Sequence, residues 1–439
     1  MFLRVLAIAV FGATAACGSN SETAGSSAPA PPAASADAPA AAAPAEPGSQ
    51  ARGLMLALAQ FVTSPDGKPT PGPARLEFLL QRGGVWQMSA LEDPDGIVFH
   101  KAMVLEQGGE PRILTLAGSP PQGTAFLKLW SLTREGLRDS VLWKQNFGGK
   151  WSRMRDAEIA DLYASGRRDI AVATHDQGVV AVLRAAEQGF EVVELDREPN
   201  TFVHEVEVGD LDGDGVPEVY ATPSEPNRLD GSAQKGQVVR YVPARKEGRT
   251  VVADLGQRHA KEILVSDLDG DGREELYVAV EGHVEGDKLL EGVEIRRYEA
   301  GTRPDAGAVI ARLDDRLTRF LTAGDLEGDG VRELVAASFS HGLWLYRPGA
   351  DPGALWRSEL IDADSAGFEH ASILTDLDGD GRDELYVASD KHKELRRYVW
   401  AQGKLEREVI YKRPDERPIF TWNLMPVPAS LVPSPAAPK

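Results

Sequence analysis

Short apolar and β-branched runs punctuate the chain from about residue 53 to residue 424, and they recur in sets of four. In the clearest set, residues 262–266 form an apolar run that leads into an acidic turn, and 275–280 form a second run. Residues 293–298 then alternate in period two, and 308–313 close the set. The third run recurs at 237–241, 342–346 and 394–398, and the fourth at 250–255, 356–361 and 408–411. Such runs, four to a repeat of roughly 50 to 58 residues, predict four-stranded β-propeller blades. Six complete units start near His100, Arg155, His204, Lys261, Arg319 and His370. Residues 418–424 read as a first strand with nothing after it, and 53–61, 75–81 and 85–91 as second, third and fourth strands with nothing before them. Pairing these pieces removes two exposed sheet edges. The expected fold is therefore all-β: a seven-bladed propeller over residues 51–428, closed by the N- and C-terminal strands, with a disordered tail at 429–439.

Four units carry the same turn between first and second strands. Its members are Asp210, Asp212, Asp214 and Glu218; Asp267, Asp269, Asp271 and Glu275; Asp325, Glu327, Asp329 and Glu333; and Asp376, Asp378, Asp380 and Glu384. Alternation puts the first three acids of each turn on one side of a tight loop, and a Gly follows the third. The backbone carbonyl of Val216, Arg273, Val331 or Arg382 can point inward, and the Glu closes the cage. Flexible, all-oxygen coordination of this kind suits Ca²⁺ better than Mg²⁺, so about four Ca²⁺ are expected. An EF-hand would need Glu at loop position twelve and flanking helices, whereas Ala221, Val278, Ala336 and Val387 stand there inside strands. Two earlier units keep the strands but lose the acids, retaining only Asp161 and Asp169 in one of them.

The segment before the repeats has a different character. Residues 1–16 combine Arg4, an apolar stretch and small residues, which is the pattern of a signal peptide. Residues 18–50 are almost wholly Ala, Pro, Ser and Gly, which cannot bury a core and read as a flexible tether. The single cysteine, Cys17, falls at the junction. Thr14-Ala15-Ala16-Cys17 resembles the lipobox of bacterial lipoproteins, with Thr14 where that family has Leu. That resemblance implies cleavage before Cys17, lipidation of its thiol, and a monomeric extracytoplasmic domain held to the cell envelope only by the lipid. The net charge of −19 argues against nucleic acid and anionic membrane surfaces as partners.

Counting back six residues from the first loop position of each repeat gives His100, Arg155, His204, Lys261, Arg319 and His370, with Thr421 or Trp422 in the seventh unit. All six can carry positive charge, and first strands line a propeller's channel, so they should ring one mouth, opposite the acidic loops. That ring suits an anionic ligand, glycan or acidic protein segment. A sharper version makes His100, His204 and His370 transition-metal ligands. Glu205 and Glu369 adjoin ring histidines, but strict alternation turns them away from the channel. No nucleophile elbow, P-loop or His-Glu-X-X-His is present.

The Asp-Leu-Asp-Gly-Asp-Gly repeats resemble the FG-GAP or VCBS repeats of integrin-α-like propellers, over roughly residues 100 to 400. The resemblance implies calcium loops between first and second strands, and a family that includes adhesion modules, lectin-like domains and a few polysaccharide lyases. Two functions are therefore expected to compete. One is a calcium-stabilised, non-catalytic binding module. The other is a lyase or hydrolase acting on an acidic polysaccharide or sugar at the basic mouth.

Overall fold

The computed structural model describes residues 52–434 apart from 65–66, 120–122, 150–151, 176, 224–227, 229 and 415–416. The leader, Cys17 and the tether lie outside the described residues. The chain is all-β and β-propeller-like, with two short 3-10 turns. Five separate four-stranded antiparallel sheets follow one another from Met154 to Lys412. Apart from one two-stranded ribbon, the remaining strands form one larger sheet, in which Val98–Gln107, Glu110–Gly118, Ala125–Thr133 and Gly136–Gln145 make one four-stranded set. The other set joins both ends of the chain. Ile419–Pro428 pairs antiparallel with Arg52–Thr63, which continues to Ala74–Arg82 and Val85–Asp93. A single pair, Ala59 with Val98, links the two sets.

Second strands are apolar on both faces because each is covered on both sides. In Glu275–Val280 every residue is buried. Leu276, Val278 and Val280 pack with Tyr220 and Val238 of the preceding sheet, while Tyr277 and Ala279 pack with Leu334 and Ala336 of the next. Continuous apolar runs are the expected mark of strands buried on both faces. The fourth strands, such as Phe190–Arg197, face solvent instead.

Inner strands lie side by side in a closed ring. Val98–Gln107 neighbours Met154–Ala160, then follow Val203–Gly209, Ala260–Ser266, Thr318–Gly324, Ser372–Thr375 and Ile419–Pro428, which returns to the first. Their channel-side backbone has no sheet partner, and an unpaired buried N–H is costly. Side chains of the neighbouring inner strand meet that need. Asp156 accepts from the Val206 amide at 2.9 Å, Glu262 from Leu321 at 2.7 Å, Thr322 from Leu374 at 2.9 Å, and Asn423 from Ala102 at 3.2 Å.

Two features depart from the sequence reading. A two-stranded ribbon, His283–Glu285 with Lys288–Glu291, is inserted between the second and third strands of its set. The chain also stays ordered past residue 428: Ala429–Leu431 form a 3-10 turn, and Leu431 and Val432 enter the core. Their apolar side chains cover the end of the closing set, so the boundary of the tail moves outward.

Candidate functional site: the channel mouth

The inner strands share an irregularity that no period-two pattern reveals. In the register of inner and second strands, one residue is skipped at His100, Arg155, Lys261, Arg319 and Trp422, and two, His204 and Glu205, face one partner residue. Each is a β-bulge, which re-aims side chains and is common beside binding sites. A bulge suspends alternation, so the ring residue and its neighbour can both reach the channel. This corrects the expectation for Glu205, which lines the central cavity together with His100, Arg155, Arg319 and Trp422. Glu369 lines it too, from the segment just before the inner strand Ser372–Thr375, where no alternation applies.

The cavity holds about 180 Å³. At its mouth the Arg155 guanidinium lies 5.3 Å from the Trp422 ring centre and 3.8 Å from the Glu369 carboxylate. Arg319 stacks 5.6 Å from Phe368, and His100 meets Trp422 edge-on at 4.7 Å. His100 is 1% exposed, yet neither ring nitrogen has a hydrogen-bond partner. Burial, then Arg153 and Arg155, hold its pKa well below the usual histidine range, so the imidazole is neutral. His204 packs against His175 at 5.2 Å, and Lys261 pairs with Glu281 at 3.8 Å.

His370 does not join the cavity lining. Its backbone is left-handed, with φ of 60°, and its inner strand begins only at Ser372. The Nδ1–H donates to the Ser338 carbonyl at 2.9 Å, and Nε2 lies 2.7 Å from Ser365 Oγ. Burial lowers its pKa to about 4. It is a satisfied core histidine. With His370 drawn away, the expected grouping of His100, His204 and His370 is not formed, and no three histidines among the described residues converge on one point.

Below the mouth the lining turns acidic, which composition alone did not reveal. Lys101 sits in the wall with Asp156 at 2.8 Å and Glu158, and both carboxylates pair with it. Burial alone would lower the Lys101 pKa, but Asp156, Glu158 and their neighbours hold it well above the usual value. Glu205, Glu207 and Glu262 complete the floor. Burial first, then nearby carboxylates, push all three well up. An acid whose folded-state pKa is raised favours the fold below the unfolded pKa, and that stability is lost as pH rises through the folded value. Glu207→Gln should therefore raise the thermal midpoint at pH 8 and leave it nearly unchanged at pH 5. Melts of both proteins at the two pH values check this, and an equal shift at both would contradict it.

On the opposite face the acidic turns form as tight loops. The first acid of each caps its own turn: Asp210 accepts from Asp214 and Gly215, Asp267 from Gly270 and Gly272, Asp325 from Gly328, Asp329 and Gly330, and Asp376 from Gly379, Asp380 and Gly381. The amides of Val216, Arg273, Val331 and Arg382 donate to the third acid of each loop. Carboxylate oxygens gather within 4.8 Å in three groups among the described residues: Asp210, Asp212 and Asp214; Asp267, Asp269 and Asp271; and Asp376, Asp378 and Glu384. In the remaining loop Glu327 turns to Arg347 at 2.7 Å. The closing Glu also has internal partners. Glu218, Glu275 and Glu384 accept from Tyr220, Tyr277 and Tyr386, and Arg240, Arg297, Arg347 and Arg397 reach Glu218, Glu275, Glu333 and Glu384. Arg240, Arg297 and Arg397, unforeseen from the loops alone, recur at one position of the third strand, opposite Tyr220, Tyr277 and Tyr386, whereas Arg347 reaches Glu333 from two residues further along its strand.

No family model matches the chain, and no curated protein sequence matches it. Solved structures do. A proposed 6-phosphogluconolactonase from Bacteroides uniformis is similar with a TM-score of 0.53 at 13% identity, covering 86% of this chain and 100% of that one. A second, from Bacteroides fragilis, has a TM-score of 0.51 at 15% identity and covers 87% of this chain and 99% of that one. At such identities the likeness shows the fold alone. It corrects the family expectation: the structural neighbours are β-propellers of the lactonase kind, not FG-GAP or VCBS proteins. An acidic six-residue turn followed by a buried strand is a local device, and it does not mark a family.

Proposed function

We propose that this chain is a seven-bladed propeller that binds a small anionic ligand at the bulged channel mouth, with Ca²⁺ steadying the opposite face. The closed succession of seven inner strands supports the blade count. The observation that carries the ligand reading is the bulge itself. Five strands each spend an irregular residue on presenting His100, Arg155, Lys261, Arg319 or Trp422, and two guanidiniums reach one cavity beside aromatic rings. Guanidiniums bond carboxylates and phosphates in a planar fork. The donor sets of three loops fit a hard cation: Asp210, Asp212 and Asp214; Asp267, Asp269 and Asp271; and Asp376, Asp378 and Glu384 would hold it. Bound there, Ca²⁺ would supply charge neutralisation and, through Glu384, tie one loop to its second strand.

Calorimetric titration with short carboxylates tests the mouth. Wild type should bind, and Arg155→Ala or Arg319→Ala should weaken binding by about tenfold or more, as expected for a lost charge-assisted pair. Equal affinity in both variants would contradict the reading.

The rival reading is acid–base catalysis on a sugar. Its support is that Glu205 and Glu369 line the same cavity as a neutral imidazole. Turnover of a polyuronate, or of the 6-phosphogluconolactone named for the Bacteroides proteins, would favour it.

A further inference from the structure

One cavity wall carries two poles. Arg155, Arg319 and the His100 imidazole stand at the mouth, and Glu205, Glu207 and Glu262 stand on the floor. Lys101 is occupied by Asp156 and Glu158. Glu205, Glu207 and Glu262 have no ion-pair partner among the described residues, so the floor holds carboxylates that no side chain matches. Glu262 is buried and Glu205 and Glu207 are half-buried, and carboxylates so placed in excess of their counter-ions are costly unless a ligand supplies the missing charge.

A second, independent feature points to an occupant. His100, 1% exposed, and Ser372, 5% exposed, both line this cavity, and His100 Nδ1, His100 Nε2 and Ser372 Oγ are buried without hydrogen-bond partners. Orphaned polar atoms are rare in folded proteins and ask for a partner. The floor carboxylates are not among the groups whose oxygens gather within 4.8 Å, so they do not form a chelate for a single bare ion. They suit a group whose N–H donors reach separate acceptors. A volume of about 180 Å³ is below the roughly 300–1,000 Å³ of pockets for drug-sized ligands. The occupant is small.

We infer that the channel binds a small zwitterion of the amino-acid class, its carboxylate on Arg155 and Arg319 and its amine among Glu205, Glu207 and Glu262. This rests on the mouth reading above and adds the amine pole to it. His100, neutral and unbonded, lines the cavity beside Arg155 and offers the ligand a donor or an acceptor there, and Ser372 Oγ offers a further polar contact. Trp422 lines the cavity beside Arg155, and Phe368 packs against Trp422 and Arg319.

The test is a paired titration of the full chain. One series is glycine, β-alanine, 4-aminobutyrate, 5-aminovalerate and 6-aminohexanoate. The other is acetate, propionate, butyrate, valerate and hexanoate. At the chain length that matches the pole separation, the amino compound should bind at least tenfold more tightly than its plain counterpart. Glu205→Gln or Glu207→Gln should remove that advantage while leaving the plain carboxylate unchanged. Equal affinities across the two series in wild type would overturn the zwitterion and leave the anionic mouth standing. Binding by neither series would overturn the mouth reading and the inference together. Because the wild-type comparison needs no variant, a variant that fails to fold does not blunt the test.

Discussion

Truncation after Arg417 should leave a chain with no cooperative unfolding transition. The lost segment supplies the inner strand Ile419–Pro428, which pairs with Arg52–Thr63 from Gln60 to Arg52. It also removes Leu424, Val427, Leu431 and Val432 from two core clusters. Burying a side chain of this size contributes about 1.5–3 kcal/mol, so the apolar loss alone is roughly 6–12 kcal/mol. A whole domain is typically stable by only about 5–15 kcal/mol. The Asn423 carboxamide that caps the Ala102 amide goes as well, and Arg52–Thr63 is left with an open edge along its length. Scanning calorimetry checks the expectation, and a peptide of residues 418–439 added in trans should restore part of the transition. A truncated protein melting within a few degrees of the intact one would show that closure contributes little.

Removal of calcium should have the next largest effect. Carboxylates clustered without a counter-ion repel one another, and three loops gather them within 4.8 Å. A ligand that binds only the folded state stabilises it by about 2.7 kcal/mol at one hundred times its dissociation constant. Three such sites add roughly 8 kcal/mol, which for a domain of this size is on the order of 10–15 °C in the midpoint. Chelated protein should therefore melt well below the calcium-loaded form, and Asp376→Asn should reduce the difference by about a third. The internal arginines limit the effect, since Arg297 and Arg397 already lie 2.6 Å and 2.5 Å from Asp269 and Asp378. Melts with and without chelator, alongside elemental analysis, decide the matter: no shift on adding Ca²⁺ would mean that these arginines are the loops' only counter-charges.

The strands were legible because second strands buried on both faces read as unbroken apolar runs, while inner and third strands follow the repeat. Closure was legible for the same reason, since residues 418–424 and 53–91 are incomplete halves of one set. Of the six positions found by counting, His100, Arg155 and Arg319 line the cavity, whereas His204, Lys261 and His370 are not in its lining. The bulges were not, because one extra residue leaves the hydrophobic pattern almost unaltered while reversing which neighbours share a face. That single irregularity hid Lys101, Asp156, Glu158, Glu205, Glu207 and Glu262. A signal was there: charged residues follow directly after His100, Arg155, His204 and Lys261 in strands that should otherwise be apolar. His370 failed because its strand starts two residues late, with Ser365 and the Ser338 carbonyl competing for its ring. The family failed because its evidence was confined to four turns.

A crystal structure of the protein grown with the tightest-binding carboxylate is the most direct test of the channel mouth as a ligand site. The predicted result is ligand density in the central cavity, with its carboxylate against Arg155 and Arg319 beside Trp422. Ligand bound elsewhere on the surface, with the cavity holding only water, would contradict it.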